Sequence, residues 1–178
     1  MQTPVLTTDR LRLRSVRIED FDDCFALWTN PVVVRYIGGI LSTGDHIWGR
    51  LQRYAGMWQL LGYGYWIVEE IASGAYVGDV GFGDHRRAME PSIIGIPEVG
   101  WALKPAYYGR GYATEAVRAA LAWSDANLAA ARTVCIISPA NLASIRVAEK
   151  CGFGDSQIAS LNGDPALLLT RHAHAVAS

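Results

Sequence analysis

The stretch that decides the fold runs from Glu98 to Ala116 and reads E-V-G-W-A-L-K-P-A-Y-Y-G-R-G-Y-A-T-E-A. Its first part, Glu98 to Lys104, is predicted to be a strand, and a helix is predicted from Thr114 to about Asn127. Gly109 and Gly111 lie between them, allow backbone conformations that other residues avoid, and carry no Cβ. The first amides of a helix have no partner within it, so this turn can bind a pyrophosphate through backbone donors. Taken alone, two glycines are a weak signal and favour a plain strand-to-helix turn.

The pattern argues against two common nucleotide sites. The sequence contains no Gly-x-x-x-x-Gly-Lys-Ser/Thr run, which a Walker loop requires. A dinucleotide-binding fold favours a third small residue where Thr114 stands, and an acidic residue at the end of the next strand. That strand ends instead in Ile136-Ile137-Ser138-Pro139. Both nucleotide interpretations are therefore disfavoured.

The remaining sequence alternates short apolar strands with amphipathic helices. Further strands are predicted over Arg10–Arg14, Tyr63–Glu70, Ala75–Phe82, Thr133–Ser138, Ser156–Leu161 and Ala166–Arg171. Further helices are predicted from Phe21 to Trp28 with Asp20 as the cap, over Val32–Ile37 with Gly38-Gly39 at its end, and over Asp45–Leu61 and Asn141–Cys151. The alternating arginines of the first strand, Arg10, Arg12 and Arg14, are predicted to lie on its solvated face rather than to form an anion-binding patch. Phe25 and Trp48 are predicted to pack inward, and the apolar stripe of the long helix is Ile47, Leu51, Tyr54 and Trp58. We expect one domain over residues 1–178, with a frayed tail from about His172.

Composition excludes several classes of protein. The chain has 178 residues, 51% of them hydrophobic, and a formal charge of −1, which excludes wholesale disorder and a strongly basic nucleic-acid binder. No apolar run approaches the ~20 residues of a membrane helix, and Met1 to Arg14 lacks the apolar core of a signal peptide. Three cysteines without Cys-x-x-Cys spacing argue against a disulfide framework and a structural zinc site. We therefore expect a cytoplasmic protein without metal.

Several stretches together resemble one known family. Tyr108-Gly109-Arg110-Gly111-Tyr112-Ala113 resembles the Arg/Gln-x-x-Gly-x-Gly/Ala signature of the GNAT superfamily of N-acetyltransferases, with Tyr108 departing from its first position. Agreement with the branch that acetylates the N-termini of ribosomal proteins continues, in order, through Thr8–Arg14, Glu19-Asp20, Asn30–Tyr36, Glu98–Trp101, Asn141–Ser144 and Ala148–Phe153. The resemblance therefore covers nearly the whole chain.

The resemblance implies a fold, an activity and a set of site residues. The fold would be mixed α/β, with a central mixed sheet of six to seven strands and helices on both faces. The protein would pass the acetyl group of acetyl-CoA directly to an amine, such as a protein N-terminus or a small molecule, as a monomer or homodimer. The residues implied to bind coenzyme A are Trp101, Ala102, Leu103, Tyr108, Gly109, Arg110, Gly111, Tyr112, Ala113, Thr114, Asn141 and Ser144.

Two residues are candidates for the chemistry. Glu98, at the start of the central strand, could accept the proton of the amine through water, or could simply pair with an arginine. Ser144 matches the position implied to hydrogen-bond the departing thiolate, although a serine early in a helix is often structural. A coenzyme A binding module without catalysis and, less favoured, a Rossmann-type nucleotide-binding protein are the alternatives. Cys135, in an apolar strand, is predicted to be a small buried hydrophobe rather than a covalent carrier of the acetyl group.

Overall fold

The computed structural model describes residues 3–38 and 41–173. The strands of this part of the chain are β1 (Leu6–Thr7), β2 (Leu11–Arg14), β3 (Tyr65–Glu70), β4 (Tyr76–Gly83), β5 (Met89–Glu90), β6 (Glu98–Leu103), β7 (Arg132–Ile137), β8 (Asp155–Leu161) and β9 (Asp164–His172). The helices are α1 (Phe21–Trp28), α2 (Pro31–Val34), α3 (Gly44–Leu61), α4 (Tyr112–Asn127) and α5 (Leu142–Lys150), with 3₁₀ turns at Ile18–Asp20 and Pro105–Tyr107. Gly39, predicted at the end of a helix, and the tail beyond Ala173 lie outside the described residues.

All nine described strands join one sheet in the order β1-β2-β3-β4-β6-β7-β9-β8-β5. Neighbouring strands are antiparallel except β6 and β7, which are parallel. The mixed sheet is as predicted, but the predicted number of six to seven strands was too low. The two additional strands, β1 and β5, have two residues each, which is too short for an alternating pattern to reveal.

Helices cover both faces of the sheet, as predicted, and each layer has its own apolar core. On one face α1, α2 and α3 pack on β3, β4 and β6 through a cluster that includes Cys24, Leu27, Val34, Ile47, Leu51, Ile67 and Ala102. On the other face α4 and α5 pack through a cluster that includes Leu11, Val80, Phe82, Val99, Ala116, Val117, Ala120 and Ala148. The central strands are thus buried between two layers of helices.

The long helix α3 follows its predicted pattern closely. Ile47, Leu51, Tyr54 and Trp58 are all buried, and the helix ends at Gly62, whose φ of +75° is the left-handed conformation that favours glycine. Across residues 3–38 and 41–173, no helix combines the length and apolar character needed to cross a membrane.

The first helix differs from its prediction in two respects. The Asp20 carboxylate does not cap α1, because it accepts hydrogen bonds from the Arg14 guanidinium at 2.6 and 2.8 Å and from the Arg17 amide at 2.7 Å. Arg14 is consequently buried rather than on a solvated strand face. Phe25 and Trp48, predicted to pack inward, are 39% and 44% exposed.

Candidate active site

The two parallel strands at the centre of the sheet separate almost as soon as they meet. In the described chain β6 and β7 are paired only at Glu98 and Val134, whereas β6 stays paired with β4 along its whole length. Beyond that single pair the two strands border a cleft of about 510 Å³. One edge of β6 therefore faces the cleft without a neighbouring strand, and its backbone groups are available to an extended ligand.

The structure brings some of the predicted site residues to this cleft and leaves others outside it. Trp101, Asn141 and Ser144 line the cleft. Ala102 and Leu103 are each only 5% exposed and belong to the two opposite core layers, so they can contribute only backbone groups.

The glycine turn has the backbone conformation that its sequence predicts. Gly109 and Gly111 have φ values of +75° and +78°, so a side chain at either position would be strained. The amides of Tyr108 and Glu115 donate to the carbonyls of Pro105 and Gly111. Within the described residues the six amides between them, 109–114, have no backbone acceptor. They form a set of unpaired donors at the start of α4, next to the positive end of its dipole. The helix begins at Tyr112, two residues earlier than predicted.

A network of side chains fixes this turn to the sheet. The Arg10 guanidinium pairs with Glu115 at 2.5 Å and donates to the carbonyl of Arg110 at 2.9 Å. The Tyr112 hydroxyl donates to Glu70 at 2.6 Å. Arg110 itself extends over the Tyr107 ring, with its guanidinium 5.4 Å from the ring centroid. None of these side chains accepts a hydrogen bond from the amides of the turn, and the contacts attach the turn, which follows β6, to Arg10 and Glu70.

Asn141 and Ser144 lie together at the start of α5. The Asn141 side-chain oxygen accepts the Ser144 amide at 3.1 Å and caps the helix. The Ser144 hydroxyl has no hydrogen-bond partner among the described residues, and Ser144 lines the cleft. This geometry leaves the hydroxyl of Ser144 available to a ligand, while the side-chain oxygen of Asn141 already has a structural role.

Glu98 is buried at the point where β6 and β7 part. One carboxylate oxygen forms an ion pair with Arg87, and the other is buried without a partner in the described chain. Burial raises the pKa of Glu98, an effect that Arg87 offsets in part. A small cavity of about 10 Å³ borders Glu98, His85 and Arg87, about the minimum volume that accommodates a single water molecule. Glu98 thus combines an arginine pair with one unoccupied basic oxygen.

The wall of the cleft also contains residues that sequence reasoning missed. Asp79, on β4, is 1% exposed; one of its oxygens accepts the Trp28 indole N–H at 3.0 Å and the other has no partner among the described residues. Burial raises the pKa of Asp79 to about 6, although the nearby Arg50 lowers it in part. Arg50 stacks over the Trp28 ring at 3.6 Å, and Tyr54 stacks on Tyr65 at 4.5 Å. The available signal was one acidic residue inside the otherwise uncharged strand β4.

Cys135 is 1% exposed, as predicted, and burial raises the pKa of its thiol. Because the nucleophile would be the thiolate, this environment disfavours a covalent role for Cys135.

Comparison with known proteins identifies the class to which this fold and cleft belong. Residues 10–154 match the acetyltransferase (GNAT) domain. YkkB of Bacillus subtilis (strain 168), an uncharacterised protein, is 32% identical over 154 residues, which cover 83% of each chain. A structure from Bordetella pertussis described as a GnaT-family acetyltransferase is 36% identical, with a TM-score of 0.82 over 95% of this chain and 99% of that chain. The chain therefore belongs to the GNAT acetyltransferase family, and the predicted family is confirmed.

More distant structures share the fold. RimL, a ribosomal L7/L12 alpha-N-protein acetyltransferase in complex with coenzyme A, is 17% identical with a TM-score of 0.73, over 95% of this chain and 98% of that chain. AAC(6')-Ib in complex with ribostamycin and coenzyme A is 20% identical with a TM-score of 0.73, over 92% of this chain and 94% of that chain. At these identities the comparison establishes the common fold alone.

Proposed function

We propose that this N-acetyltransferase transfers the acetyl group of acetyl-CoA directly to a primary amine, either a protein N-terminal α-amine or a small amine. The observation that carries the proposal is the separation of β6 from β7, followed along the chain by a turn with six unpaired amides. An extended chain with amide groups can pair with the open edge of β6, and a diphosphate fits the donors of residues 109–114. The bound acetyl-CoA supplies the activated acyl group.

Both backbone groups and side chains of the site are proposed to bind acetyl-CoA. The amides of 109–114 hold the diphosphate, and the backbone of 101–103 orients the pantetheine arm along β6. Asn141 contacts the same arm through its side-chain amide. An amide of the open edge of β6 also polarises the thioester carbonyl, as an oxyanion-hole donor does.

Glu98 is proposed to receive the proton of the amine through a water molecule. At pH 7 the free amine form costs about 4.6 kcal/mol for a lysine-type amine of pKa ≈ 10.4, but only about 1.4 kcal/mol for an α-amine of pKa ≈ 8. A single carboxylate acting through water is adequate for the second case. The unpaired oxygen of Glu98 and the water-sized cavity beside it support this role. The other oxygen forms the ion pair with Arg87, which is a structural contact.

Ser144 is proposed to stabilise the leaving group, the thiolate of coenzyme A. As the C–S bond breaks, the electron pair goes to the coenzyme A sulfur, and the Ser144 hydroxyl hydrogen-bonds this thiolate. The hydroxyl is suited to this because Ser144 lines the cleft and its hydroxyl has no other partner in the described chain.

The fold leaves both acceptor classes open, since RimL acts on a ribosomal protein and AAC(6')-Ib holds an aminoglycoside in the same fold. The test is a screen of peptides with free α-amines, polyamines and aminoglycosides, with release of free coenzyme A thiol as the readout. We expect thiol release that depends on the amine. Binding of acetyl-CoA with neither transfer nor slow thioester hydrolysis would favour the binding-module alternative.

A thermal-shift panel of acetyl-CoA, NAD and ATP distinguishes the proposed function from the remaining alternative, a Rossmann-type nucleotide-binding protein. A ligand at a hundredfold over its Kd adds about 2.7 kcal/mol to the free energy of unfolding. We expect stabilisation by acetyl-CoA only, and stabilisation by NAD or ATP in its place would overturn the proposal.

A further inference from the structure

The ring of Tyr65 crosses the sheet over two glycines. Tyr65 on β3 pairs with Gly81 on β4, and Gly81 pairs with Gly100 on β6. A Cβ added at Gly81 would fall 2.3 Å from the Tyr65 Cα and 2.8 Å from its Cγ, and a Cβ added at Gly100 would fall 2.5 Å from the Tyr65 Oη. Neither glycine has a positive φ, so space is what requires glycine at both positions. At Gly81 the limit is set first by the backbone of the neighbouring strand, with the Gly64 carbonyl oxygen at 2.4 Å, and at Gly100 it is set by the Tyr65 hydroxyl. The ring therefore ends with its hydroxyl over β6.

Gly100 lies two residues beyond Glu98, where β6 has just parted from β7, and both Gly100 and Tyr65 line the cleft. The Tyr65 hydroxyl has no hydrogen-bond partner among the described residues. Tyr54 fixes the ring in place by stacking on it, with an interplanar angle of 5°. An oriented hydroxyl thus lies over the Gly100 position of β6, at the start of the cleft.

The surroundings of this hydroxyl keep its proton in place. Burial raises the pKa of Tyr65, and the carboxylates of Glu98 and Asp79 raise it further, although Arg50 and Arg87 offset part of this effect. Each carboxylate stands two residues before a glycine under the ring, Asp79 before Gly81 and Glu98 before Gly100. At neutral pH the group is a hydrogen-bond donor rather than a phenolate.

We propose that the Tyr65 hydroxyl is a catalytic hydrogen-bond donor to the carbonyl oxygen of the thioester, a role that rests on acetyl-CoA binding along β6. As the amine nitrogen bonds to the carbonyl carbon, the C=O electron pair moves to the oxygen, and Tyr65 stabilises this oxyanion while keeping its own proton. When the oxyanion re-forms the carbonyl, the C–S bond breaks and its electron pair leaves with sulfur. The attacking amine is neutral, so the nitrogen of this intermediate carries a positive charge, and its extra proton passes to Glu98 through water to leave the neutral amide.

The direct test is the carbonyl stretching frequency of ¹³C-labelled acetyl-CoA bound to the wild-type protein and to Tyr65→Phe. A donated hydrogen bond lowers this frequency, so we expect it to rise in Tyr65→Phe while the Kd for acetyl-CoA stays within about threefold. With the best amine from the screen, kcat should fall roughly 100-fold, the loss typical of one oxyanion donor, with little change in KM. Tyr63→Phe removes a tyrosine hydroxyl outside the cleft and is the matched control, with no expected change in either quantity.

Two results separate this inference from the proposed function. If the wild-type protein does not bind acetyl-CoA, both fail together. If it binds and Tyr65→Phe leaves the carbonyl frequency and kcat unchanged, or changes only the KM of the amine, the inference alone is overturned.

A stability experiment tests the placement of the hydroxyl without any ligand. In the wild-type protein, a Cβ at Gly100 meets Oη at 2.5 Å, but the next nearest atom of the ring is Cζ at 3.6 Å, an ordinary contact. Gly100→Ala should therefore lower the urea midpoint clearly when it is made in the wild-type protein, which keeps Tyr65. The same substitution made in the Tyr65→Phe variant should lower the midpoint much less. Equal losses in the two backgrounds would mean that the hydroxyl does not lie over Gly100 and would overturn the inference.

Discussion

Replacing Asp79 with asparagine should stabilise the protein at alkaline pH. Asp79 is a fully buried carboxylate with one hydrogen bond, from Trp28, and one oxygen that is unpartnered in the described chain. Arg50 and the Tyr54 hydroxyl are close enough to lower its pKa, but neither forms an ion pair or a hydrogen bond with the Asp79 carboxylate in the described structure. Asparagine has the same shape without the charge, and its oxygen can still accept the indole N–H. The substitution therefore isolates the cost of burying this charge.

The magnitude follows from the pKa of Asp79, which burial raises from 3.8 to about 6. At about 1.36 kcal/mol per pH unit, this difference corresponds to about 3 kcal/mol. Since the folded-state pKa lies above the unfolded-state pKa, the folded state binds the proton more tightly. The contribution of Asp79 to stability is complete below about pH 4 and is lost as the pH rises through about 6. Asp79→Asn should thus be more stable than the wild-type protein by up to about 3 kcal/mol at pH 8, and nearly equal to it at pH 4.

Urea denaturation at pH 4, 6 and 8 measures this difference, provided that unfolding is two-state. Asp22→Asn, at an exposed position of α1, is the control and should change the free energy of unfolding by less than roughly 1 kcal/mol at pH 8. A destabilised Asp79→Asn at pH 8, or a difference that does not vary with pH, would refute the reasoning. Either result would mean that the Asp79 carboxylate is well compensated in the folded state.

Three further substitutions test the proposed chemistry. Glu98→Gln should lower kcat/KM for the amine and flatten its rise with pH, and an unchanged pH profile would remove Glu98 from the mechanism. Ser144→Ala should reduce kcat more than the affinity for acetyl-CoA measured by titration calorimetry, whereas the opposite pattern would make Ser144 a binding contact only. Gly109→Ala should weaken acetyl-CoA binding and cost roughly 1–2 kcal/mol of stability because φ is +75°. Gly95→Ala, with φ of +82° in a loop outside the site, should cost similar stability and leave acetyl-CoA binding intact; equal loss of binding in both would argue against a diphosphate at the turn.

The features that sequence reasoning predicted depend on local signals. Gly109 and Gly111 require positive φ, and the apolar stripe of α3 has the helical period. Each of these effects acts within a few residues along the chain, so the sequence displays it directly. The family signature then extended these local predictions to the whole fold.

The features that the sequence did not reveal depend on contacts between distant segments. Tyr65 resembles any strand aromatic until β4 and β6 place Gly81 and Gly100 beneath it. Arg14 was assigned to a solvated strand face because its partners, Asp20 and Glu69, come together only in the folded sheet. Trp48 follows the helical period well enough to suggest burial, yet no core layer reaches its position on α3.

A crystal structure of the protein with acetyl-CoA tests the central claim most directly. We expect the diphosphate within hydrogen-bond distance of the amides of residues 109–114, the pantetheine arm between β6 and β7, and the thioester carbonyl facing Tyr65 near Gly100. Coenzyme A bound elsewhere on the protein, with this cleft and turn unused, would contradict the account.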